Sequence, residues 1–397
     1  MADQRGLTPA ARPEVEHLQA YSAPLEGRRG LLRLDFNENT VGPSPRVVEA
    51  IRAIPADHYA IYPEYDGLRQ AMVASLAATA GGQAAPAGAG QPGAFPGLRA
   101  EHIGLFNGVD AAIHAVFHAY GDRGDQLLTT SPTFGYYSPC ARMQGMTIEA
   151  IPYRLPDFAF PLEEIRAALA APRPPKLLLL CNPNNPTGTR LAAEQVLALA
   201  AAAPRTLVVV DELYEAFSGD SVLPLLAARA RAAADRVPAV ADPFAAYPNL
   251  LVLRSLAKTA GLAGLRIGFA IGAAPLVDRV SRVTGPYDIN SFAVTAAFAA
   301  LADQGYVDAY VAEVARARDW LVAQLEAAAV RHHWAGGNYL LLWPRADAAA
   351  VEARLRQAGI LVRSMAGKPL IDGSLRVSLG TLEQMRRFWQ AWRLIED

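Results

Sequence analysis

The chain of 397 residues, 52% hydrophobic and 19% charged, is long enough to bury a large core and predicts about two domains. A formal net charge of -1 and a pI near 6.7, without clustered Lys or Arg, argue against binding to nucleic acid or to an anionic membrane. Cys140 and Cys181 are too few for a disulfide framework, and no apolar run has the length of a signal or membrane helix, so we expect a cytoplasmic protein.

The N-terminal part of the chain predicts an extended arm followed by a helix. Residues 1–47 are rich in Pro and charge, and their apolar patch at 31–36 predicts a strand or arm that must pack against another part of the chain. Asp66 is a good N-cap and Gly81 is a good residue after a last turn, so a helix is predicted between them. The Gly-, Ala- and Pro-rich segment 81–99 predicts a flexible surface insertion.

Beyond this segment, short strand-like runs alternate with helical ones. The runs cover residues 102–106, 126–130, 147–153, 176–181, 206–211, 250–255 and 266–272. Several are continuously apolar, as strands covered on both faces should be, and the alternation predicts an α/β fold with a mostly parallel, seven-stranded sheet. The helix predicted over 108–120 has one apolar face, which suits packing on such a sheet. The last run follows its predecessor too closely for a crossover helix, so we expect it to be antiparallel.

The C-terminal part has a different pattern, which predicts a smaller α+β domain. A long charged helix is expected over 306–331. Three short strands follow, over 339–343, 360–364 and 375–379. We therefore predict a large domain of residues 48–295 and a small domain of residues 1–47 and 296–397, in which the N-terminal arm completes the C-terminal part.

Chemically versatile residues follow several of the predicted strands. In an open parallel sheet, ligands bind outside the carboxyl ends of the strands. Asp211 ends the run TLVVVD, where a nucleotide-hydrolysing enzyme would hold Mg²⁺, but the sequence contains no GxxxxGK[ST] loop and no GxGxxG turn after a strand. Nucleoside triphosphates and dinucleotides are therefore poor candidates for the ligand.

Two motifs offer an amine and an amide at this edge of the sheet. In NLLVLRSLAKTAGLAGLRIGFAIG, Lys258 follows a buried strand inside a glycine-rich turn that also carries Arg266. In CNPNNPTGT, Asn185 follows another strand and is held between prolines. Taken alone, the lysine is equally typical of a surface loop, and the second motif is equally typical of a rigid turn.

Other motifs supply complementary groups. The helix start NGVD offers the backbone N–H groups of residues 108–110 to a phosphate. Phe134 in SPTFGYY could stack on a flat ligand, and DELY places Tyr214 close to Asp211. An amine, a carboxylate, a phenol, an amide, a ring and a phosphate cradle match pyridoxal 5′-phosphate, whose aldehyde needs a lysine and whose ring nitrogen needs an acid.

Together these motifs resemble those of the fold type I, pyridoxal 5′-phosphate-dependent aminotransferases of class I and II, and in particular the histidinol-phosphate aminotransferase family. The motifs are RSLAKTAGLAGLRIGFAIG, CNPNNPTG, VVVDELY, LDFNENTVGPSP, IYPEYDG, SPTF, GPYDINS and LRVSLGT. The resemblance runs from about Tyr21 to Trp392, except for the insertion at 81–99. It implies a large domain with the sheet between helices, and pyridoxal 5′-phosphate as the cofactor.

The resemblance also implies roles for the residues around the cofactor ring. Lys258 would bond the cofactor's aldehyde and move the proton at the substrate Cα. Asp211 would keep the ring nitrogen protonated, while Asn185 and Tyr214 would hydrogen-bond the phenolic oxygen. Lys258, Asp211 and Tyr214 would thus be the catalytic residues, and Phe134 would stack on the ring.

The phosphate group would be held by residues from two subunits, as the resemblance implies. Ser255, Arg266 and the backbone amides of Gly108, Val109 and Asp110 would contact it. Tyr62 of a neighbouring subunit would join them, so we expect a homodimer with shared active sites. Ala257 replaces the serine that usually precedes the lysine, which removes one hydrogen bond to the phosphate.

The same resemblance implies substrate-binding residues. Arg376 would clamp the substrate carboxylate, with Asn185 beside it, and Tyr21 and Arg363 would contact the rest of the substrate. Asp288, in GPYD, would repel a substrate phosphate. The sequence therefore leaves the substrate open between histidinol phosphate and another amino acid, for instance an aromatic one.

The expected reaction is transfer of an amino group from an amino donor to a 2-oxo acid such as 2-oxoglutarate by a ping-pong mechanism. A decarboxylase or another lyase of the same fold is the nearest alternative, because the same cofactor residues support cleavage of other bonds at Cα. A cofactor-binding regulator is a third possibility. His114 and His118 lie one helical turn apart, but no third ligand is evident, so we expect no metal.

Overall fold

The computed structural model describes residues 9–19, 26–79, 95–234 and 242–396. The helices are α1 (Pro13–Glu16), α2 (Pro45–Arg52), α3 (Leu68–Thr79), α4 (Val109–Tyr120), α5 (Tyr137–Met143), α6 (Leu162–Leu169), α7 (Ala193–Ala202), α8 (Val222–Ala234), α9 (Ala274–Ser281), α10 (Ser291–Leu301), α11 (Gln304–Ala327), α12 (Ala348–Gln357) and α13 (Leu382–Glu396). The strands are β1 (Leu32–Arg33), β2 (Ile103–Phe106), β3 (Gln126–Ser131), β4 (Thr147–Pro152), β5 (Leu177–Cys181), β6 (Leu207–Asp211), β7 (Leu250–Ser255), β8 (Gly268–Gly272), β9 (His332–His333), β10 (Tyr339–Leu342), β11 (Ile360–Leu361), β12 (Arg363–Ser364) and β13 (Leu375–Ser378).

The central sheet has seven strands in the order β2-β8-β7-β6-β5-β3-β4. Every neighbouring pair is parallel except those that involve β8, which runs antiparallel to both β2 and β7. The predicted α/β class, the mostly parallel sheet of seven strands and the reversed last strand are all confirmed. All residues of β5 and β6 are buried, because helices cover both faces of these strands.

The C-terminal part forms a separate four-stranded antiparallel sheet, in the order β12-β13-β10-β9. The single strand predicted over 360–364 is wrong, since the structure divides this run into two. Residues 360 and 361 form β11 and pair in parallel with β1 of the N-terminal arm. Residues 363 and 364 form β12 and pair antiparallel with β13. The run is divided because its two halves have partner strands in different sheets.

Two large apolar clusters form the interior of the protein. The first packs around the seven-stranded sheet and draws its members from Val47 to Ala300. The second contains Leu32 and Leu34 of the N-terminal arm together with side chains of α11, α12, α13 and the four-stranded sheet. The two clusters follow the proposed division only broadly, since Val47 and Ala296 and Ala300 of α10 pack with the first cluster and Tyr214 and Phe217 pack with the second. The division into residues 48–295 and residues 1–47 with 296–397 stays a prediction.

The predicted surface insertion at 81–99 lies largely outside the described residues. Its last part is described, and here the prediction of a flexible surface segment is wrong. Phe95 and Leu98 are buried in the first apolar cluster, because both are large apolar side chains that lie against the sheet domain. Within the described ranges, no helix combines the length and the apolar character needed to cross a membrane.

Candidate active site

The carboxyl ends of the central strands meet around a cavity of about 120 Å³. The strand register places Cys181 opposite Asp211, and it places Ser255 opposite Gly268, the first residue of the antiparallel strand β8. The cavity is lined by most of the predicted cofactor residues, namely Val109, Asp110, Phe134, Asn185, Asp211, Tyr214, Ser255, Lys258 and Arg266. Residues far apart in the sequence therefore converge where the sheet topology predicts.

Lys258 lies in the connection between β7 and β8, where its side chain lines the cavity. Its Nζ donates a hydrogen bond to the backbone carbonyl of Phe36 at 2.9 Å. Burial, with the nearby positive charge of Arg376, lowers the pKa of Lys258 to about 8. At mildly alkaline pH, a large fraction of the Lys258 side chains is therefore uncharged and hence nucleophilic.

Asp211 ends the buried strand β6 and is itself only 2% exposed. Its carboxylate accepts hydrogen bonds from the Tyr137 hydroxyl at 2.7 Å and from the Leu213 amide at 3.3 Å. Burial nevertheless raises the pKa of Asp211 to about 6. A buried carboxylate of this kind is stabilised in its charged form by a cationic partner in the cavity.

Tyr137 was missed by the sequence analysis. It lies in α5, three positions after Phe134 in the motif SPTFGYY, and the two rings pack edge-on with centroids 5.5 Å apart. Phe134 thus lines the cavity, while Tyr137 donates its hydroxyl proton to Asp211. The aromatic spacing was a usable signal, but only the pairing of distant strands reveals which acid the tyrosine contacts.

Arg376, Asn185 and Tyr214 form a row of hydrogen bonds, and Asn185 and Tyr214 line the cavity. Arg376 Nη1 donates to Asn185 Oδ1 at 2.6 Å, and Asn185 Nδ2 donates to the Tyr214 hydroxyl at 3.2 Å. Arg376 also donates to the backbone carbonyl of Asp35. Only 9% of Arg376 is exposed, so these contacts hold its guanidinium in one place.

The start of α4 forms a cradle for an anion. Gly108, the residue before the helix, has φ +78°, and a Cβ there would lie 2.6 Å from Nη2 of Arg266. A Cβ on Gly268 would lie 2.6 Å from the backbone of Gly108 and Val109. Glycine at both positions therefore lets β8 and Arg266 approach the free N–H groups of the helix, where a phosphate binds well.

The two charged residues of the cradle contact each other. Arg266 Nη2 donates to Asp110 Oδ2 at 3.0 Å, and both side chains are exposed. Ser255 lies beside them, where its hydroxyl donates to the Ile267 carbonyl at 3.3 Å and accepts from the Ala257 amide at 3.0 Å. These groups can be rearranged by a ligand at little cost, because an exposed ion pair contributes little to stability.

A buried ion pair ties the ends of β6 and β7 together behind the cavity. Arg254 Nε lies 3.1 Å from Glu212 Oε2, and its Nη2 donates to the Ser221 hydroxyl at 2.8 Å. Ser221 in turn donates to Glu212 at 2.8 Å. These contacts hold the strand that ends in Asp211 beside the strand that precedes Lys258.

Four of the predicted site residues that the structure describes are not among those that line the cavity, namely Tyr62, Gly108, Arg363 and Arg376. Tyr62 is 70% exposed and stacks on Tyr287, with ring centroids 4.1 Å apart. Arg363 is the cross-strand neighbour of Arg376, and its guanidinium lies 5.9 Å from the centre of the Phe36 ring. Tyr21 lies outside the described residues.

Asn37 was also missed by the sequence analysis. It is fully buried, and its Nδ2 donates to the Tyr214 hydroxyl at 3.3 Å. The motif LDFNENTVGPSP was noticed, but its neighbours in the sequence do not indicate that the N-terminal arm reaches the edge of the central sheet.

His114 and His118 are neighbours on α4, with their Nε2 atoms 3.2 Å apart. In the part of the chain that the structure describes, no group of three or more His, Cys, Asp or Glu side chains is placed to hold a metal ion.

Comparison with known proteins identifies the family. Residues 29–391 match the family described as aminotransferase class I and II. The histidinol-phosphate aminotransferase of Roseiflexus castenholzii (strain DSM 13941 / HLO8) is 34% identical over 399 residues, covering 95% of this chain and 96% of that protein. The histidinol-phosphate aminotransferase of Desulfitobacterium hafniense (strain DSM 10664 / DCB-2) is 31% identical over 401 residues, covering 98% of each.

A solved structure shares the fold. The crystal structure of histidinol-phosphate aminotransferase from Sinorhizobium meliloti, in complex with pyridoxal-5′-phosphate, has a TM-score of 0.78 and 24% sequence identity, over 98% of this chain and 100% of that chain. The family match and both relatives span almost the whole chain, and most of the residues that the motifs predicted line the cavity. The chain therefore belongs to the class I and II aminotransferases and is a pyridoxal 5′-phosphate-dependent aminotransferase.

Proposed function

We propose that the enzyme moves an amino group between an L-amino acid, or an amino-alcohol phosphate such as histidinol phosphate, and a 2-oxo acid such as 2-oxoglutarate. The two half-reactions would follow a ping-pong mechanism. The observation that carries the proposal is the row of Arg376, Asn185 and Tyr214, which runs from a buried guanidinium to the cavity of Lys258. The names of the relatives from R. castenholzii and D. hafniense support the histidinol-phosphate alternative.

The residues around the cavity fit pyridoxal 5′-phosphate. The glycine pair at 108 and 268 leaves room for a phosphate at the start of α4, and Arg266 lies beside it. The buried carboxylate of Asp211 suits a protonated ring nitrogen, and Phe134 lines the same cavity. Bound there, the cofactor supplies an electron sink that stabilises negative charge at the substrate Cα.

Asp211 and Lys258 would divide the chemistry between them. A carboxylate in hydrogen-bond contact with a cationic ring nitrogen is worth roughly 5 kcal/mol at an effective dielectric constant near 20, which equals a few pKa units. Asp211 would therefore keep the ring nitrogen protonated at neutral pH. Lys258, with its lowered pKa, would carry the proton to and from the substrate Cα as a general base and acid.

Arg376 and Arg363 would bind the anionic ends of the substrates. The planar guanidinium of Arg376 can grip a carboxylate with two parallel hydrogen bonds, which a lysine cannot do. Arg363 lies opposite Arg376 on the neighbouring strand, so two positive charges lie close together in the four-stranded sheet. This pair suits a substrate that carries a phosphate or a second carboxylate, and Tyr21 would complete the site.

We propose a homodimer in which each subunit contributes Tyr62 to the phosphate site of the other. Tyr62 and Tyr287 are stacked and exposed on the surface. Tyr59 and Ile61, close to Tyr62 in the sequence, are also exposed. An exposed patch of large apolar side chains is typical of a protein interface. We place the dimer in the cytoplasm, where the free thiols of Cys140 and Cys181 would stay reduced.

The experiment that tests the proposal incubates the holoenzyme with single amino donors and no 2-oxo acid. The panel contains histidinol phosphate, glutamate and aromatic amino acids. We expect the visible absorption of the bound cofactor to disappear with a good donor and to return on addition of 2-oxoglutarate. Release of CO₂ with unchanged absorption would overturn the aminotransferase proposal in favour of a decarboxylase.

Arg363→Lys provides a matched variant for substrate choice, since it keeps the charge but removes the planar fork. With histidinol phosphate as the donor, we expect kcat/KM to fall by about tenfold or more, because a bidentate phosphate contact is lost. The value for an uncharged aromatic amino acid should change much less. Equal losses for both donors would show that Arg363 does not contact the phosphate.

A further inference from the structure

The hydroxyl group of Tyr214 is contacted by two buried carboxamides. Asn185 Nδ2 lies 3.2 Å from it and Asn37 Nδ2 lies 3.3 Å from it. A hydroxyl has one proton to donate and two lone pairs that accept, so the direction of each bond depends on which end of each amide faces the tyrosine. The Arg376 guanidinium determines the orientation of Asn185, and in Asn37 the carbonyl oxygen lies on the Ser378 hydroxyl.

Asn185 must turn its NH₂ group toward Tyr214. Its carbonyl oxygen accepts from Arg376 at 2.6 Å, and a guanidinium can only donate. If the amide were reversed, its NH₂ group would face the guanidinium, which would leave two donors in contact.

In the structure, Asn37 also has its NH₂ group toward Tyr214 and its carbonyl oxygen toward Ser378. The Ser378 hydroxyl accepts from the backbone N–H of Asn37 at 2.9 Å and donates to Asn37 Oδ1 at 2.9 Å. The carbonyl end of this amide is therefore occupied, and its NH₂ end faces Tyr214. Asn338 Nδ2 also donates to the backbone carbonyl of Asn37 at 3.2 Å, which fixes the main chain at this point.

Because both lone pairs of the Tyr214 oxygen receive N–H donors, its own proton must be directed away from both amides. Tyr214 lines the cavity, so the proton is available to a ligand there. We propose that Asn37 is a positioning residue that, together with Asn185, makes the Tyr214 hydroxyl an obligatory hydrogen-bond donor to the phenolic oxygen of the cofactor. This inference rests on the proposed function, which places that oxygen next to Tyr214.

Through its contact with Tyr214, Asn37 should affect the pH at which the bound cofactor titrates. A hydrogen bond donated to a phenolic oxygen stabilises its anionic form. Loss of the forced orientation would therefore raise the pH at which the visible absorption of the bound cofactor titrates. A residue that merely supports the fold would change cofactor retention or thermal stability without moving this midpoint.

The variants are Asn37→Gly, Tyr214→Phe and the double substitution. Asn37 has φ +55°, a conformation that glycine adopts without strain, so Asn37→Gly removes the amide while the backbone is retained. We expect each single substitution to raise the titration midpoint by about one pH unit, and the double substitution to add nothing further. The holoenzyme is titrated spectroscopically, with kcat and KM measured in parallel.

Asn37→Asp gives a second, isosteric variant. A carboxylate keeps the acceptor that Ser378 needs but accepts from Tyr214 instead of donating to it, so the midpoint should rise here as well. The added negative charge should shift the midpoint equally in the wild-type and Tyr214→Phe backgrounds. The difference between the shifts measured in these two backgrounds is therefore the part that acts through the Tyr214 hydroxyl.

Two outcomes would overturn the proposal, and they differ in what else they affect. If Asn37→Gly shifts the midpoint equally with and without the Tyr214 hydroxyl, Asn37 does not act through Tyr214, and the proposed function stands. If Tyr214→Phe leaves the titration of a functional holoenzyme unchanged, Tyr214 does not contact the phenolic oxygen. That result removes the assigned role of Tyr214 as well as that of Asn37.

Discussion

Lys258 and Asp211 have pKa values shifted in opposite directions by the same cause. Burial disfavours the charged form of each group, so the pKa of Lys258 is lowered to about 8 and that of Asp211 is raised to about 6. The two do not form a hydrogen bond with each other, since Lys258 contacts Phe36 and Asp211 contacts Tyr137. Each is therefore left to interact with a different end of a ligand in the cavity.

The pH dependence of cofactor capture tests the shift of Lys258. Only the uncharged amine bonds an aldehyde, so the rate at which the apoenzyme captures pyridoxal 5′-phosphate should rise with pH, with a midpoint near pH 8. Stopped-flow absorption at a series of pH values measures this rate. Lys258→Ala is the control, and it should yield no borohydride-stable adduct. A midpoint close to the ordinary lysine value of 10.5 would contradict a desolvated amine.

We expect Asp211→Asn to stabilise the apoenzyme and to lower the activity of the holoenzyme. Burial raises the pKa of Asp211 from 3.8 to about 6, so the folded apoenzyme binds the proton more tightly than the unfolded chain does. The contribution of Asp211 to the free energy of unfolding is fully present below pH 3.8. It decreases by roughly 3 kcal/mol as the pH rises through about 6. Asparagine carries no charge, and its carbonyl can still accept from Tyr137.

We therefore expect the Asp211→Asn apoenzyme to melt at a higher temperature than wild type above pH 6, with the difference fading as the pH falls toward 4. Its kcat should fall by up to about four orders of magnitude, since a charged partner worth about 5 kcal/mol to the ring nitrogen is lost. Thermal melts and steady-state kinetics measure the two effects. A variant that is less stable at every pH would indicate a purely structural role.

At the scale of elements, the packing of β8 against the start of α4 shapes the phosphate cradle. Gly268 lies against the backbone of Gly108 and Val109, where atoms cannot move aside as a flexible side chain could. Gly264, in the connection between β7 and β8, has no atom within 4 Å of the position that a Cβ would occupy. The two glycines thus provide a matched pair for substitution.

Gly268→Ala should displace the first turn of α4. Its Cβ would meet backbone atoms at 2.6 Å, so strand and helix must separate. We expect cofactor affinity to fall by about tenfold or more, because the helix N–H groups move away from the phosphate. Gly264→Ala should bind the cofactor as wild type does. Equilibrium dialysis of the two variants makes the comparison, and similar losses in both would argue against the cradle.

The central strands could be predicted because their apolar runs depend on burial alone. The division of the run at 360–364 could not, because it depends on which partner strand lies beside each half. The same limit applies to the site. Residues at or just after the ends of strands, such as Asp211 and Asn185, could be located from the topology. Asn37 could not, because it is linked to the site by its contacts with Ser378 and Tyr214, which are distant in the sequence.

At the scale of the whole molecule, the shared phosphate site makes a prediction about mixed dimers. A Lys258→Ala chain retains Tyr62, and a Tyr62→Ala chain retains Lys258. In a mixed dimer, one of the two sites would have its own lysine and the partner's tyrosine intact. Random exchange of subunits should therefore restore about a quarter of the wild-type activity.

Activity assays before and after mixing the two variants measure this gain, with each variant alone as the control. Mixtures without any gain would indicate that Tyr62 serves its own subunit. A fully active species that sediments as a monomer would contradict the shared site itself.

The reversed strand β8 has one more consequence for the site. Because β7 and β8 are antiparallel, a short connection at 256–267 carries both Lys258 and Arg266, and closing so short a loop costs little chain entropy. Asp211 reaches the cavity through longer helical crossovers, so its position depends on the register of β6 beside β7. Loosening of the sheet would therefore separate the acid from the lysine first, while the lysine and the arginine keep their spacing.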